Sequence, residues 1–137
     1  MANASAEADA AGAKLVLIRG SDSPAMPFEC FEEAVRALEG DSDVVLTPDQ
    51  GGGYAMIGVR QFLPRLFDLA MSTQTVFDQT LDLANKMELG AFTTRASFDL
   101  DTVGDLQLFE TLSEQEKADL CPRTVQRLSV ATRSNVL

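Results

Sequence analysis

Apolar residues fall along this chain in short runs that switch between two periods. Residues 14–19 (KLVLIR) form a β-rich run ending at Gly20 and predict a buried strand. Phe28, Phe31, Val35 and Leu38 then recur at helical spacing, with acids early in the segment and Gly40 just past its end. Pro27 suits the first turn of that helix, because its missing N–H would have no intrahelical partner. Residues 43–47 (DVVLT) predict a second strand, and Gly51, Gly52 and Gly53 lead into a third over 54–59 (YAMIGV). Residues 61–69 predict a short helix. After Ser72 and Thr73 a longer helix runs to about Leu89 and is closed by Gly90, with Val76, Phe77, Leu81, Ala84 and Met87 on one stripe. Residues 91–98 alternate weakly and predict a fourth strand. Thr102 and Asp105 have capping-box spacing and open a helix through Leu106, Phe109 and Leu112; a last helix carries Val125 and Leu128.

Strands alternating with helices predict an α/β domain with a mostly parallel sheet. Ligands of such sheets sit at the carboxyl ends of the strands. That rule singles out the loops GSDSP (20–24), PDQGGGY (48–54) and DLDT (99–102). A chain of 137 residues suits one domain, read as 13–137 behind a frayed, Ala-rich leader over 1–12 that is helical in places. The leader lacks the features of a signal peptide, and the longest apolar runs are strand-sized, so a cytoplasmic protein without a membrane segment is expected.

Charge narrows the choice of partner. A formal net charge of −10 repels a phosphate backbone, which argues against nucleic-acid binding. A single nucleotide remains accessible if a divalent cation bridges the charges. The commoner meaning of such a charge is solubility or adaptation to salt. Histidine is absent and only Cys30 and Cys121 are present, so Ser-His-Asp and Cys-His catalysis and most zinc sites are excluded. Cys30 falls inside a predicted helix, where a small hydrophobe packs. Any chemistry runs on carboxylates, hydroxyls, backbone amides and a hard metal such as Mg²⁺ or Mn²⁺.

Each candidate has two readings. Asp22, just past a buried strand, can coordinate a metal or cap the next helix. Asp99 and Asp101, two apart, share a face in extended chain and can share a cation, or form an Asx turn ahead of a cap at Thr102. The three glycines before Tyr54 can let backbone approach a ligand or simply turn the chain. Ser72 and Thr73 can receive an anion at a helix N-terminus or cap it. Arg60, Arg65 and Arg95 can contact phosphate, although lone arginines are more often solvated or paired.

Taken in order, KLVLIRGSDSP, DVVLTPDQGGGYAMIGV, MSTQTVFDQT and FDLDTVGDL resemble a bacterial group of GT-A-type glycosyltransferases. That group belongs to the nucleotide-diphospho-sugar transferases and is related to molybdenum-cofactor and phospholactate guanylyltransferases. Its pattern is GSD-x-P, GPA-x-DGGYYLIG, W-S-T-x-x-V-x-x-Q-T and D-V-D-T-x-x-D-L. The resemblance implies a partial three-layer α/β/α Rossmann-like sheet. It casts Asp22 and Asp101 as metal ligands for Mg²⁺ or Mn²⁺, and Ser21, Gly52, Gly53, Tyr54, Ser72 and Thr73 as substrate contacts. The implied activity is glycosyl or nucleotidyl transfer from a nucleotide-sugar or nucleotide.

Gly51 stands where the group has the Asp of DGGY, and Met71 where it has Trp. Asp49 lies two residues before that Asp position, a shift of several ångströms in extended chain. Nothing like the group's basic nucleotide-cradling loop precedes Ala13, so the chain reads as lacking the N-terminal nucleotide-binding part. These departures leave open a non-catalytic relic that serves as an oligomeric interaction module. Without a preceding strand, residues 15–18 would expose a flat apolar sheet edge, which a second copy or a partner chain is expected to cover. Sedimentation or size-exclusion at micromolar concentration should then report a dimer; a clean monomer would refute the pairing of two copies.

Overall fold

The computed structural model describes residues 1–70 and 73–134. The chain opens with helix α1 (Ala2–Ala10) and strand β1 (Val16–Arg19), followed by helix α2 (Phe28–Glu39) and strands β2 (Val44–Pro48) and β3 (Tyr54–Val59). A single 3-10 turn (Pro64–Phe67) precedes helix α3 (Val76–Lys86) and strand β4 (Ala91–Thr93). Helices α4 (Val103–Thr111), α5 (Glu114–Leu120) and α6 (Pro122–Ser134) close the described chain. Among the described residues, no helix is long and apolar enough to cross a membrane.

The four strands form one sheet in the order β1-β3-β2-β4. The α/β class expected from the sequence is found, but the sheet is mixed. β1, β2 and β4 run one way, while β3 lies reversed between β1 and β2, so two of its three ladders are antiparallel. The glycine-containing link of five residues between β2 and β3 is the physical reason. Parallel neighbours need a crossover of a dozen residues or more, so a link this short admits only an antiparallel pair.

Both faces of the sheet are covered. On one face, Val44, Leu46, Ile57 and Val59 pack with Leu63, Leu66, Val76 and Ala84, beneath the 3-10 turn and α3. On the other, Val45, Ala55 and Met56 pack with Met26, Cys30, Ala34 and Leu38 of the α2 segment. Every residue of β3 is buried, as a central strand between two helical layers requires. A bulge at Thr47 and Pro48 shifts the β2–β3 register, so that Tyr54 joins the cluster of Ile57 and Val59 against the alternation.

Several elements differ from their sequence reading. α2 forms over the expected span, but its buried face is Cys30, Ala34 and Leu38, and Phe28 is 66% exposed. The small residues let the helix approach the sheet, whereas Phe31 packs only at the margin of that core and pairs with the exposed Phe28 ring, 6.1 Å away. The helix expected over 61–69 contracts to the 3-10 turn, and the fourth strand ends at Thr93 rather than residue 98. Beyond Thr93 the chain still follows β2, through Thr94 N–H to Leu46 O and Ser97 N–H to Pro48 O, but without a regular ladder. α5 was not expected; its Ser113–Glu116 capping box is a legible signal of a helix start. Within the leader, α1 spans Ala2–Ala10, buries Ser5 and packs against β1. Among the described residues β1 pairs with β3 alone and so is an edge strand.

Gly52 has φ +85°, and a Cβ there would overlap the Gln74 carbonyl. Its own carbonyl accepts from Phe77 N–H at 3.2 Å. The glycine turn is thereby clamped against the entry to α3. Gly12, at φ +83°, has nothing within 4 Å of a Cβ. Gly12→Ala should therefore cost only backbone strain, about 1 kcal/mol, while Gly52→Ala should cost about 3 kcal/mol. Urea unfolding of both variants checks this, and equal losses would refute the clamp.

Candidate functional site

The reversal of β3 gathers the loops. Arg19 at the end of β1 pairs with Met56, and Pro48 at the end of β2 pairs with Tyr54 at the start of β3. β4 runs parallel to β2, so its continuation emerges at the same end of the sheet. GSDSP, PDQGGGY and DLDT thus meet there, as the strand-end rule predicts.

Two of these loops are tied directly to each other. Leu100 N–H donates to Asp22 O at 2.9 Å, and the Ser23 hydroxyl donates to Asp99 Oδ1. Arg19 braces the first loop, donating from Nε to Gly20 O at 3.1 Å and from Nη2 to Ser23 O at 2.9 Å. Its guanidinium also lies over the Phe31 ring, 5.8 Å from the centroid. Behind the loops, Ala25, Phe109 and Cys121 form a third apolar cluster with Phe98, Leu100, Leu112 and Val125. The C-terminal helices therefore back the second loop.

The result is a group of three carboxylates. Asp22, Asp99 and Asp101 each offer an oxygen, and these oxygens all lie within 4.8 Å of one another. Two oxygens on one Mg²⁺ or Ca²⁺-sized ion stand at most about 4–5 Å apart, so the spacing fits a single cation. Asp22 does not cap the next helix, and the expected cap at Thr102 forms without either neighbouring acid. α2 begins at Pro27 without a side-chain cap, and α4 is capped by Thr102 with Asp105. Asp101 donates only its backbone N–H, to Asp105 Oδ2 at 3.1 Å. The Asp22 and Asp101 carboxylates accept no hydrogen bond among the described residues. Asp99 joins them; its two-residue spacing from Asp101 is the signal of this in the sequence.

These acids line a cleft of about 600 Å³, within the usual range for a small-molecule site. Of the expected substrate contacts, Gly53, Tyr54 and Thr73 line it. Gly52 does not, being turned under Gln74, and Ser21 is exposed beside it. Ser72 lies outside the described residues, as does Met71. Asp49 also lines the cleft, but its Oδ1 accepts from the Gly51 and Gly53 amides, the latter at 3.2 Å. It organises the glycine turn. Arg95 is turned to Glu33 at 3.4 Å, and Arg60 donates to Gly40 O. With Asp105 the described lining carries five carboxylates and no Lys or Arg.

Burial, with like charge nearby, leaves a mark on the half-buried member. Burial pushes the Asp99 carboxyl above its usual range; the Ser23 hydrogen bond opposes this, and Asp22, Asp49 and Asp101 add to it. Burial likewise pushes the Tyr54 phenol up, against a hydrogen bond with Thr80. Asp105, held by the Thr102 hydroxyl and amide, is lowered instead.

A raised Asp99 means that the folded state binds its proton more tightly than the unfolded state. Its contribution to stability therefore falls as pH rises from the ordinary Asp range through the folded pKa. Asp99→Asn should unfold at a higher temperature than the wild type at pH 7, and this advantage should shrink on acidification toward about pH 4. Thermal unfolding across that range checks it; an unchanged or lower midpoint at pH 7 would contradict the raised Asp99 carboxyl.

The sequence profile described as "Uncharacterized protein conserved in bacteria (DUF2064)" matches residues 1–73, α1 included. No curated protein matches the chain. Among solved structures, the fold is similar to that of a "putative nucleotide-diphospho-sugar transferase" from Desulfovibrio desulfuricans G20, with TM-score 0.82 and 28% identity. The match covers 96% of this chain and 58% of that one, so the chain spans a little over half the length of its structural relative. The profile accounts for more than half of the 137 residues and includes β1, β2, β3 and two of the three loops at the cleft. The chain thus belongs to the bacterial DUF2064 family.

Proposed function

We propose that this chain forms the metal-binding part of a transferase, in which Asp22, Asp99 and Asp101 hold Mg²⁺ or Mn²⁺ against the phosphates of a nucleotide-sugar or nucleotide. The observation that carries this reading is the meeting of three carboxylates from two distant loops, two of them without any capping task. An all-oxygen, all-anionic donor set suits a hard divalent cation. Such an ion would supply charge neutralisation for a diphosphate. The acidic lining makes it necessary, because five carboxylates with no described basic residue repel phosphate. The nucleotide-sugar class comes from the motif resemblance and from the structural relative.

Within this reading each residue has a task. Asp22 and Asp101, both exposed, face the ion from two loops, and Asp99 supplies the more sheltered oxygen. Gly53 and Thr73 border the space beside them, where a sugar or acceptor would lie. Binding without turnover is the second reading, and one observation favours it. Gly51 offers no carboxylate where the resembled group has one, and Asp49 is engaged with the turn amides.

Calorimetric titration separates these outcomes. The wild type should bind one Mn²⁺, and Asp22→Asn and Asp101→Asn should each weaken it by about tenfold or more, since affinity follows ligand charge. Nucleotide-sugars should bind only with the metal present. Absence of Mn²⁺ binding, or full affinity in both variants, would overturn the site; metal-dependent binding without product release would favour the second reading.

A further inference from the structure

We propose that Ser23 is a positioning residue for the cation site: its buried hydroxyl holds the Asp99 carboxylate in the orientation that gives the site its third oxygen. The proposal rests on the reading of Asp22, Asp99 and Asp101 as a metal site. Ser23 lies between exposed Asp22 and half-buried Pro24, yet is itself 0% exposed. A buried hydroxyl without a partner is costly, and this one finds Asp99 Oδ1, 76 residues away. Asp99 Oδ2 has no hydrogen bond among the described residues.

A terminal carboxylate torsion is soft and roughly two-fold. One charge-assisted bond to Oδ1 is enough to remove that freedom. Ser23 does not line the cleft and so does not touch the ion; any effect on it passes through Asp99. Nor is Ser23 needed to join the two loops. The backbone bond from Leu100 N–H to Asp22 O does that independently, and Arg19 holds the Ser23 carbonyl rather than its hydroxyl. The hydroxyl is left with one role, the orientation of Asp99. Hydrogen bonds of this kind, one step out from a metal, commonly alter affinity by 10–100-fold.

The test is a double-mutant cycle read by Mn²⁺. Ser23→Ala, Asp99→Ala and the double variant are compared by electron paramagnetic resonance of free Mn²⁺ and by water-proton relaxation of the bound ion. Ser23→Ala should weaken Mn²⁺ by about tenfold and raise the relaxation per bound ion, as water takes the place of the Asp99 oxygen. In the Asp99→Ala background, which removes the acceptor oxygen, the same change should cost less than about twofold, because the two residues act as one unit. Ser23→Cys, close in size and a weaker donor, should fall between wild type and Ser23→Ala, and carries the test if the alanine variant does not fold. Wild-type affinity in Ser23→Ala and Ser23→Cys, or an equal loss with and without Asp99, overturns the positioning role. A wild type that binds no Mn²⁺ overturns the cation reading itself and this proposal with it.

Discussion

The cleft depends on a single strand that runs against its neighbours. β3 is buried along its whole length and pairs on both sides, so its direction sets which loops share an end of the sheet. Because it is reversed, its first residue, Tyr54, lies beside the ends of β1 and β2. A parallel β3 would have carried the glycine turn's exit to the far side. The bulge at Thr47 and Pro48 then turns Tyr54 toward α3, while Thr47 meets Thr94 at 2.7 Å beneath the other loop. Local twist and strand direction together aim the loops at one volume.

That volume is electrostatically unfavourable as it stands. Five carboxylates face it, and burial pushes that of Asp99 above its usual range. The surrounding structure offsets this with donors rather than counter-charges: Ser23 to Asp99, the glycine amides to Asp49, and Thr102 to Asp105. Arg19, the nearest cation on the loops, is directed at backbone carbonyls and at Phe31. A described lining with five carboxylates and no Lys or Arg side chain is a local conflict of the kind expected where stability yields to binding.

Much of the secondary structure could be read from periodicity and caps. β3 matches its expected span, and the Thr102–Asp105 capping box opens α4 as anticipated. Where periodicity misled, packing had decided. In α2 the bulky residues look like the core stripe, yet the sheet accepts Cys30 and Ala34, because only small side chains allow close approach at that crossing. β4 ends at Thr93 despite the weak alternation over 91–98, because residues 94–97 follow β2 through isolated bonds and not a regular ladder. α5 was missed although Ser113 and Glu116 mark its start.

Sequence alone determined the α/β class, the three loops of interest, and the restriction to hard-metal or hydroxyl chemistry that follows from the lack of histidine. These depend on local spacing and on composition, which a chain carries whether or not it is folded. Tertiary structure alone decided that Asp22 and Asp101 cap nothing, that Asp99 completes their group, and that Gly52 is bound to the α3 entry instead of the cleft. It also decided the reversal of β3 and the partnership of Ser23 with Asp99, 76 residues apart. Such pairings arise when strand order brings remote loops together, and no local pattern encodes that juxtaposition.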